Sequence, residues 1–241
     1  MIVTLTVISI LLIIAVVAAA ASYYEYHGFG LQAGVFRNAQ STTDRLAALT
    51  FDDGPSRAYT PAILDILAAK NVKATFFLTG EMAAEHSDIA RRIVDEGHEV
   101  GNHTYSHVNM IFLKAQALTD EIDRGHKAVL DATGVEPVLF RPPRGLFNDT
   151  VRQVLLTRGY RIILWSVSAA DWSLLSAPVI AWRVRHYVRP GAVILFHDGG
   201  ALVNNAGGNR DKTVAVLPGL IDYLLAQGYT LVTAGELADR D

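Results

Sequence analysis

From Leu46 onward, short continuous apolar runs alternate with capped, periodically apolar stretches. The runs at 46–51 (LAALTF), 74–80 (ATFFLTG), 99–104 (EVGNHT), 137–142 (PVLFRP), 161–167 (RIILWSV), 192–197 (AVILFH) and 229–234 (YTLVTA) read as strands. Unbroken Val/Ile/Leu/Phe runs suit strands buried on both faces of a parallel sheet. The stretches between them carry helix signals. Thr60-Pro61 opens one helix, with Ile63, Ile66 and Leu67 inward and Asn71 as its stop. Ser87 opens a second, which ends at Gly97. Thr119-Asp120-Glu121 opens a third, with Ile122, His126, Val129 and Leu130 on one side and Gly134 as its stop. A fourth runs from near Asn148 to Gly159, and a fifth from Pro178 to Pro190-Gly191. The sixth carries Leu217, Leu220, Ile221, Leu224 and Leu225 before Gly228. Strand then helix, repeated about seven times, predicts a parallel α/β fold. A closed or nearly closed barrel and an open doubly wound sheet both satisfy the pattern, and both place ligand sites at the carboxyl ends of strands.

The pattern changes at the amino terminus. Residues 1–22 (MIVTLTVISILLIIAVVAAAAS) contain no charge, and a helix needs ~20 apolar residues to span a bilayer. The run predicts a transmembrane helix. It lacks the basic leading region of a secretory signal, although Ala18 to Ser22 offers small residues for cleavage, so an uncleaved anchor is the favoured expectation. The rest of the chain then lies outside the cytoplasm, membrane-anchored, or secreted if the segment is cut. Residues 23–45 show no steady period and read as a linker and lead-in, with Tyr23, Tyr24 and Tyr26 suited to a membrane interface. Residues 46–241 read as the main folded domain. Net charge is −3 and the isoelectric point is near 6.2, which argues against a nucleic-acid partner. The absence of cysteine excludes disulfides, thiolate metal sites and a cysteine nucleophile.

Candidate chemistry gathers after the predicted strands. The first ends in Thr50-Phe51-Asp52-Asp53-Gly54-Pro55. Neighbours in a strand point to opposite sides, but a turn at Gly54-Pro55 can bring both carboxylates to one place. The third ends in His103-Thr104-Tyr105-Ser106-His107, a spacing that lets two imidazoles share a metal. Two His and one Asp make a three-ligand site with open positions, as a catalytic metal requires. The fourth ends in Arg141-Pro142-Pro143-Arg144-Gly145, where Arg141 is suited to orient a carboxylate. Asp171-Trp172 follows the fifth, and His197-Asp198 ends the sixth. A His beside an Asp is a way to keep an imidazolium charged near neutral pH. The Gly/Asn-rich loop 199–212 is long for a barrel connection and is expected to border a groove.

Over about residues 45–238 the chain resembles the polysaccharide deacetylase family, carbohydrate esterase family four with its NodB-like domain. The resemblance rests on TFDDGP at 50–55, followed in order by His103-x-x-x-His107, the Arg-Pro element at 141–145, Asp171-Trp172 and Leu195-x-His197. It implies a distorted (β/α)7 barrel and a divalent metal, commonly zinc, with cobalt, nickel or manganese as alternatives. It implies that Asp53, His103 and His107 bind the metal, that Asp52 is the general base, and that His197 is the general acid. Arg141 would orient Asp52 and Asp171 would tune His197. Leu195 and Trp172 would line the acetyl pocket and groove, and the backbone N–H of Arg144 would hold an oxyanion. The implied activity is hydrolysis of N-acetyl groups on an N-acetylglucosamine-type polysaccharide or oligosaccharide. The sequence departs from the family at Ser168, usually Asp, and at Arg144, often Tyr in peptidoglycan deacetylases. Peptidoglycan, chitin oligomers, exopolysaccharide and O-acetylated xylan all remain open as substrates.

Two rival readings compete with this one. Two His and a carboxylate also suit a non-haem iron oxygenase, which oxygen uptake would reveal. A non-catalytic, membrane-tethered glycan-binding domain would bind glycan without releasing acetate.

Overall fold

The computed structural model describes residues 33–40, 44–200 and 208–241, and of the N-terminal run only residues 6, 7, 9, 10, 12, 13 and 16, which are helical. The expected membrane span 1–22 lies mostly outside the described residues, as does the centre of the 199–212 loop. Among the described residues no helix is long and apolar enough to cross a membrane.

In chain order the elements are β1 (Val35–Phe36), β2 (Leu46–Asp52), α1 (Thr60–Ala69), β3 (Thr75–Leu78), α2 (Gly80–Glu85), α3 (Ser87–Asp95), β4 (Glu99–Asn102), α4 (Ala115–Thr133), β5 (Leu139–Phe140), α5 (Asp149–Thr157), β6 (Arg161–Ile163), β7 (Val167–Ser168), α6 (Ala177–Tyr187), β8 (Ala192–His197), α7 (Asp211–Ala226), β9 (Thr230–Val232) and α8 (Ala234–Ala238), with 3-10 turns at Met110–Phe112 and Pro143–Gly145. The paired strands run parallel in the order β1-β6-β5-β4-β3-β2-β8-β7. This nearly sequential order is that of a sheet wound one way into a partial barrel, not of a doubly wound sheet whose order reverses in the middle.

The longest strand, β2, forks the sheet. β8 pairs along one edge from Ala47 to Asp52. On the other edge β9 pairs with Leu46 to Ala48 and β3 with Thr50 to Asp52. Its side chains alternate between two layers. Ala47, Leu49 and Phe51 join Phe76, Leu78, Ile194, Phe196 and the residues of α1, α3, α6 and α7 in the outer core. Leu46 and Ala48 join Phe77, Phe140, Ile162, Val193 and Leu195 in the inner one. The same period puts Thr50 and Asp52 on the inner side of β2 and His197 on the inner side of β8. The barrel interior is therefore apolar lower down and polar at its carboxyl end.

Several expected boundaries move. Val35–Phe36, inside the region read as linker, forms β1 against β6; two residues are too few to show an alternation. The third helix begins at Ala115 rather than Thr119, though Gly134 does cap it with φ 72°. The expected strand 161–167 breaks into β6 and β7. Between them the Leu164 N–H still donates to the Phe36 carbonyl and the Ser166 N–H to the Val193 carbonyl, while the Arg141 side chain donates to the carbonyls of Ile163 (3.1 Å) and Leu164 (3.0 Å).

Candidate active site

The polar end of the barrel is assembled from strand ends. Asp52 ends β2 and stands in register with His197 at the end of β8. The next residue, Asp53, turns the chain with φ 76°. Thr104, His107, Arg144 and Ala170 also adopt positive φ. Left-handed backbone is uncommon for residues with a Cβ and concentrates at functional sites. Five such residues at the rim of one barrel mark where local preference yields to tertiary demand.

Asp53, His103 and His107 converge, with one potential ligand atom from each lying within 4.8 Å of the others. Asp53 Oδ1 is buried, lies 3.4 Å from His103 Nε2 and 3.2 Å from His107 Nε2, and has no properly formed hydrogen bond. Burial pushes the Asp53 carboxyl up, but His103, His107 and His197 outweigh it and hold it well below the carboxylate range. Burial pushes the His107 imidazole down to about 4, against the pull of Asp53. An ionised carboxylate oxygen without a donor beside a neutral imidazole fits a cation, since ligands must be deprotonated. His103 Nδ1 is 2.6 Å from the Arg141 carbonyl, which fixes the tautomer and turns Nε2 toward Asp53.

The loop carrying His107 is tied from below. Thr104 Oγ1 accepts from the His107 N–H at 3.0 Å. The Glu121 carboxylate of α4 accepts from the Ser106 N–H and hydroxyl, both at 2.9 Å. The first N–H groups of α2, those of Gly80 and Glu81, donate to the Thr104 and Tyr105 carbonyls. Gly125 of α4 lets the helix approach: a Cβ there would stand 2.5 Å from Asn102 Oδ1 and 2.7 Å from the Thr104 carbonyl carbon.

Two charge pairs flank this triad. Arg141 is wholly buried and donates to Asp52 Oδ1 at 2.7 Å and to Thr50 Oγ1 at 2.8 Å. Its guanidinium lies 4.0 Å from the Phe77 ring centroid. On the other side His197 Nδ1 is 2.8 Å from Asp171 Oδ1, and Asp171 Oδ2 accepts from the His197 N–H (2.9 Å) and the Thr213 hydroxyl (2.6 Å). Burial alone would lower the His197 imidazole, but the Asp171 charge and hydrogen bond, with Asp53 and Asp52, push it up to about 9. Burial would raise the Asp171 carboxyl, but His197, Thr213 and Arg210 bring it below its ordinary value.

The adjacency of His197 and Asp198 pairs them only in sequence. Asp198 points away from the imidazole, and its Oδ2 accepts from the Thr60 hydroxyl at 2.6 Å. Burial, opposed by Thr60 and reinforced by Asp53 and Asp52, pushes its carboxyl up to about 7. Asp171, which the family resemblance singled out, is the partner of His197. Leu195 is buried in the inner core, two residues below His197. Trp172 is 44% exposed beyond Asp171. Arg144 sends its side chain outward to Asn109 Oδ1 at 2.9 Å. Ser168 is buried, its hydroxyl accepting from the Ala170 N–H at 3.2 Å. The base of the 199–212 loop reaches the site: a Cβ on Gly200 would stand 2.3 Å from Asp53 Oδ2, and Arg210 holds the Gly199 and Gly200 carbonyls at 2.9 Å each. Glu121, Thr213 and Arg210 carried no motif signal; a buried Thr or Arg aimed at a carboxylate or a loop carbonyl shows itself only in three dimensions.

Residues 39–163 match the model of the family described as polysaccharide deacetylase. The chain is 36% identical over 198 residues to a peptidoglycan-N-acetylglucosamine deacetylase of Listeria monocytogenes serotype 1/2a, covering 82% of this chain and 40% of that protein. The chain thus spans less than half the length of that relative. It is 37% identical over 187 residues to a chitooligosaccharide deacetylase of Sinorhizobium fredii, covering 76% of this chain and 87% of the relative. Among solved structures it superposes on the Bc1960 peptidoglycan N-acetylglucosamine deacetylase with a TM-score of 0.78 at 35% identity, covering 84% of this chain and 91% of the other. It also superposes on BA3943, a CE4 family pseudoenzyme from Bacillus anthracis, with a TM-score of 0.77 at 31% identity, covering 86% and 69%. The parallel barrel, the ordered strand-end residues and these likenesses agree that the chain belongs to the polysaccharide deacetylase family.

Proposed function

We propose that the protein is a metal-dependent deacetylase that hydrolyses N-acetyl groups on an N-acetylglucosamine-type polysaccharide of the cell envelope or extracellular matrix. The observation that carries this reading is the pair of oppositely built charge couples, Asp52–Arg141 and His197–Asp171, on either side of the Asp53, His103 and His107 cluster. An oxygenase needs the cluster but not the couples, and a glycan-binding domain needs neither.

A divalent cation held by Asp53, His103 and His107, zinc being the best match to one carboxylate and two imidazoles, would supply Lewis acidity toward the acetyl carbonyl and toward water. Asp52, oriented by Arg141, takes a proton from the attacking water. The N–H of Arg144 faces the oxyanion; such donors contribute roughly 2.7–4 kcal/mol. An amine leaves poorly unless protonated, so an acid is required. His197 is protonated at neutral pH and delivers the proton from Nε2, its Nδ1 being engaged by Asp171. Leu195 lines the acetyl pocket, and Trp172 presents a flat apolar face to a sugar ring.

The test is acetate release from N-acetylglucosamine oligomers and peptidoglycan by the zinc-loaded chain. Asp52→Asn should keep zinc and lose nearly all turnover, whereas His103→Ala should lose both. Wild-type turnover in Asp52→Asn would remove the role assigned to Asp52.

We also propose that residues 1–22 anchor the chain, with the barrel outside the cytoplasm. The support is a charge-free run of spanning length. Extraction of the chain from membranes by alkaline carbonate would contradict the anchor.

A further inference from the structure

The turn that carries both Asp52 and Asp53 is gripped by residues to which neither the proposed chemistry nor the family motifs give a task. On one side the Thr79 N–H donates to the Gly54 carbonyl at 3.1 Å. On the other, Asp198 lies wholly buried against the turn. Its N–H donates to the Asp52 carbonyl at 3.1 Å. Its carboxylate lies flush on Gly54, where a Cβ would stand 2.1 Å from Oδ2. That same Oδ2 accepts from the Thr60 hydroxyl at 2.6 Å, and Thr60 Oγ1 in turn accepts from the Ser56 N–H at 2.7 Å. Asp198, Thr60 and Ser56 therefore close a ring of contacts around Gly54 and Pro55. The ring joins the end of β8 to the start of α1, with the metal-bearing turn between them.

We propose that Asp198 and Thr60 are positioning residues that set where the Asp53 carboxylate stands relative to the two imidazoles. Three facts distinguish this from plain core packing. A buried carboxylate is costly and is kept only where its contacts matter. Gly54 is the one residue that allows the carboxylate to sit on the turn backbone. The Asp198 carboxylate bears on Gly54, the residue that follows Asp53, and the Asp53 φ of 76° needs outside support. Groups that orient a ligand from behind typically alter metal affinity 10–100-fold when removed.

The inference rests on the metal reading above, and zinc binding by the full chain tests the two separately. Zinc affinity is measured by competition with a chromogenic chelator, and melting temperature is measured on the zinc-free chain. Asp198→Ala and Thr60→Val should each weaken zinc binding by roughly 10-fold. The double variant should be no worse than about the worse single one, because both act through one contact. Asp198→Asn, which keeps the shape and an oxygen to accept from Thr60, should bind zinc within about 3-fold of wild type. In the active enzyme kcat should fall with zinc occupancy while KM for N-acetylglucosamine oligomers holds. Folded Asp198→Ala and Thr60→Val proteins that bind zinc as wild type does, with only the melting temperature lowered, would overturn the proposal. If Asp198→Ala does not fold, Thr60→Val alone decides. A wild-type chain that takes up no divalent metal would overturn the metal reading and this inference together.

Discussion

His197 carries the plainest consequence at the scale of single residues. Its imidazole is pushed up to about 9 by Asp171, Asp53 and Asp52 against its burial. The form that can donate a proton therefore persists through neutral pH and is lost above about 9. With the Asp53 charge taken up by the cation, Asp171 and Asp52 still hold the imidazole up, so the basic limb of the kcat/KM profile should lie above neutral pH. Asp171→Asn should bring that limb down toward the unperturbed value of about 6.5 and lower kcat roughly 100-fold; a basic limb that stays put would show that Asp171 does not tune the acid. The same elevation has a stability side. A folded-state pKa above the unfolded one contributes stability that is fully present below about 6.5 and disappears as pH rises through about 9. Thermal unfolding of the zinc-free chain should show this loss, and His197→Gln should flatten it.

At the scale of elements, α4 acts as the bed of the loop that carries His107. Gly125→Ala sets two effects against each other. Alanine gains about 1 kcal/mol of helix propensity over glycine, but its methyl would meet Asn102 and the Thr104 backbone, and overpacking costs typically 1–3 kcal/mol. Backbone on one side leaves little to yield, so the variant should be destabilised in urea and bind zinc more weakly. Glu121→Ala removes both bonds to Ser106 and should also weaken zinc, with about 1–2 kcal/mol of stability lost. Much of this level was readable beforehand. The strand-then-helix alternation, Gly134 as a helix stop and the placement of polar residues at strand ends all follow from periodicity and capping. Strand ends did not follow, because between β6 and β7 the carbonyls of Ile163 and Leu164 are taken by Arg141, which comes from elsewhere in the chain. The His197–Asp198 adjacency misled for a related reason: consecutive strand residues face opposite ways, so the useful partner had to come from another loop. Glu121, Thr213 and Thr60 lie on helices and bear no mark of the site until the barrel brings them there.

For the whole molecule, the fold alone does not secure activity, since a structure of nearly the same shape is described as a pseudoenzyme. The retention of Asp52, Asp53, His103, His107, Arg141, Asp171 and His197 together is the stronger argument. If three of them hold zinc only in the folded state, zinc must stabilise the whole barrel. At 100-fold excess over Kd the gain is about 2.7 kcal/mol, which for a chain of this size corresponds to about 2–4 °C per kcal/mol. A melting temperature that ignores zinc and chelator alike would argue that the cluster binds nothing.

The pairing of β2 with β8 sets Asp52 beside His197 by a ladder of backbone bonds. A slip of one residue would bring Phe51 or Asp53 level with His197, and would turn the apolar outer residues of one strand inward. Correct strand alignment and a correctly spaced proton donor and acceptor are thus a single outcome of folding. Each molecule that reaches its native sheet thus already holds the Asp52 carboxylate and the His197 imidazole side by side, and a variant that shifts this register should lose the spacing and the apolar packing together.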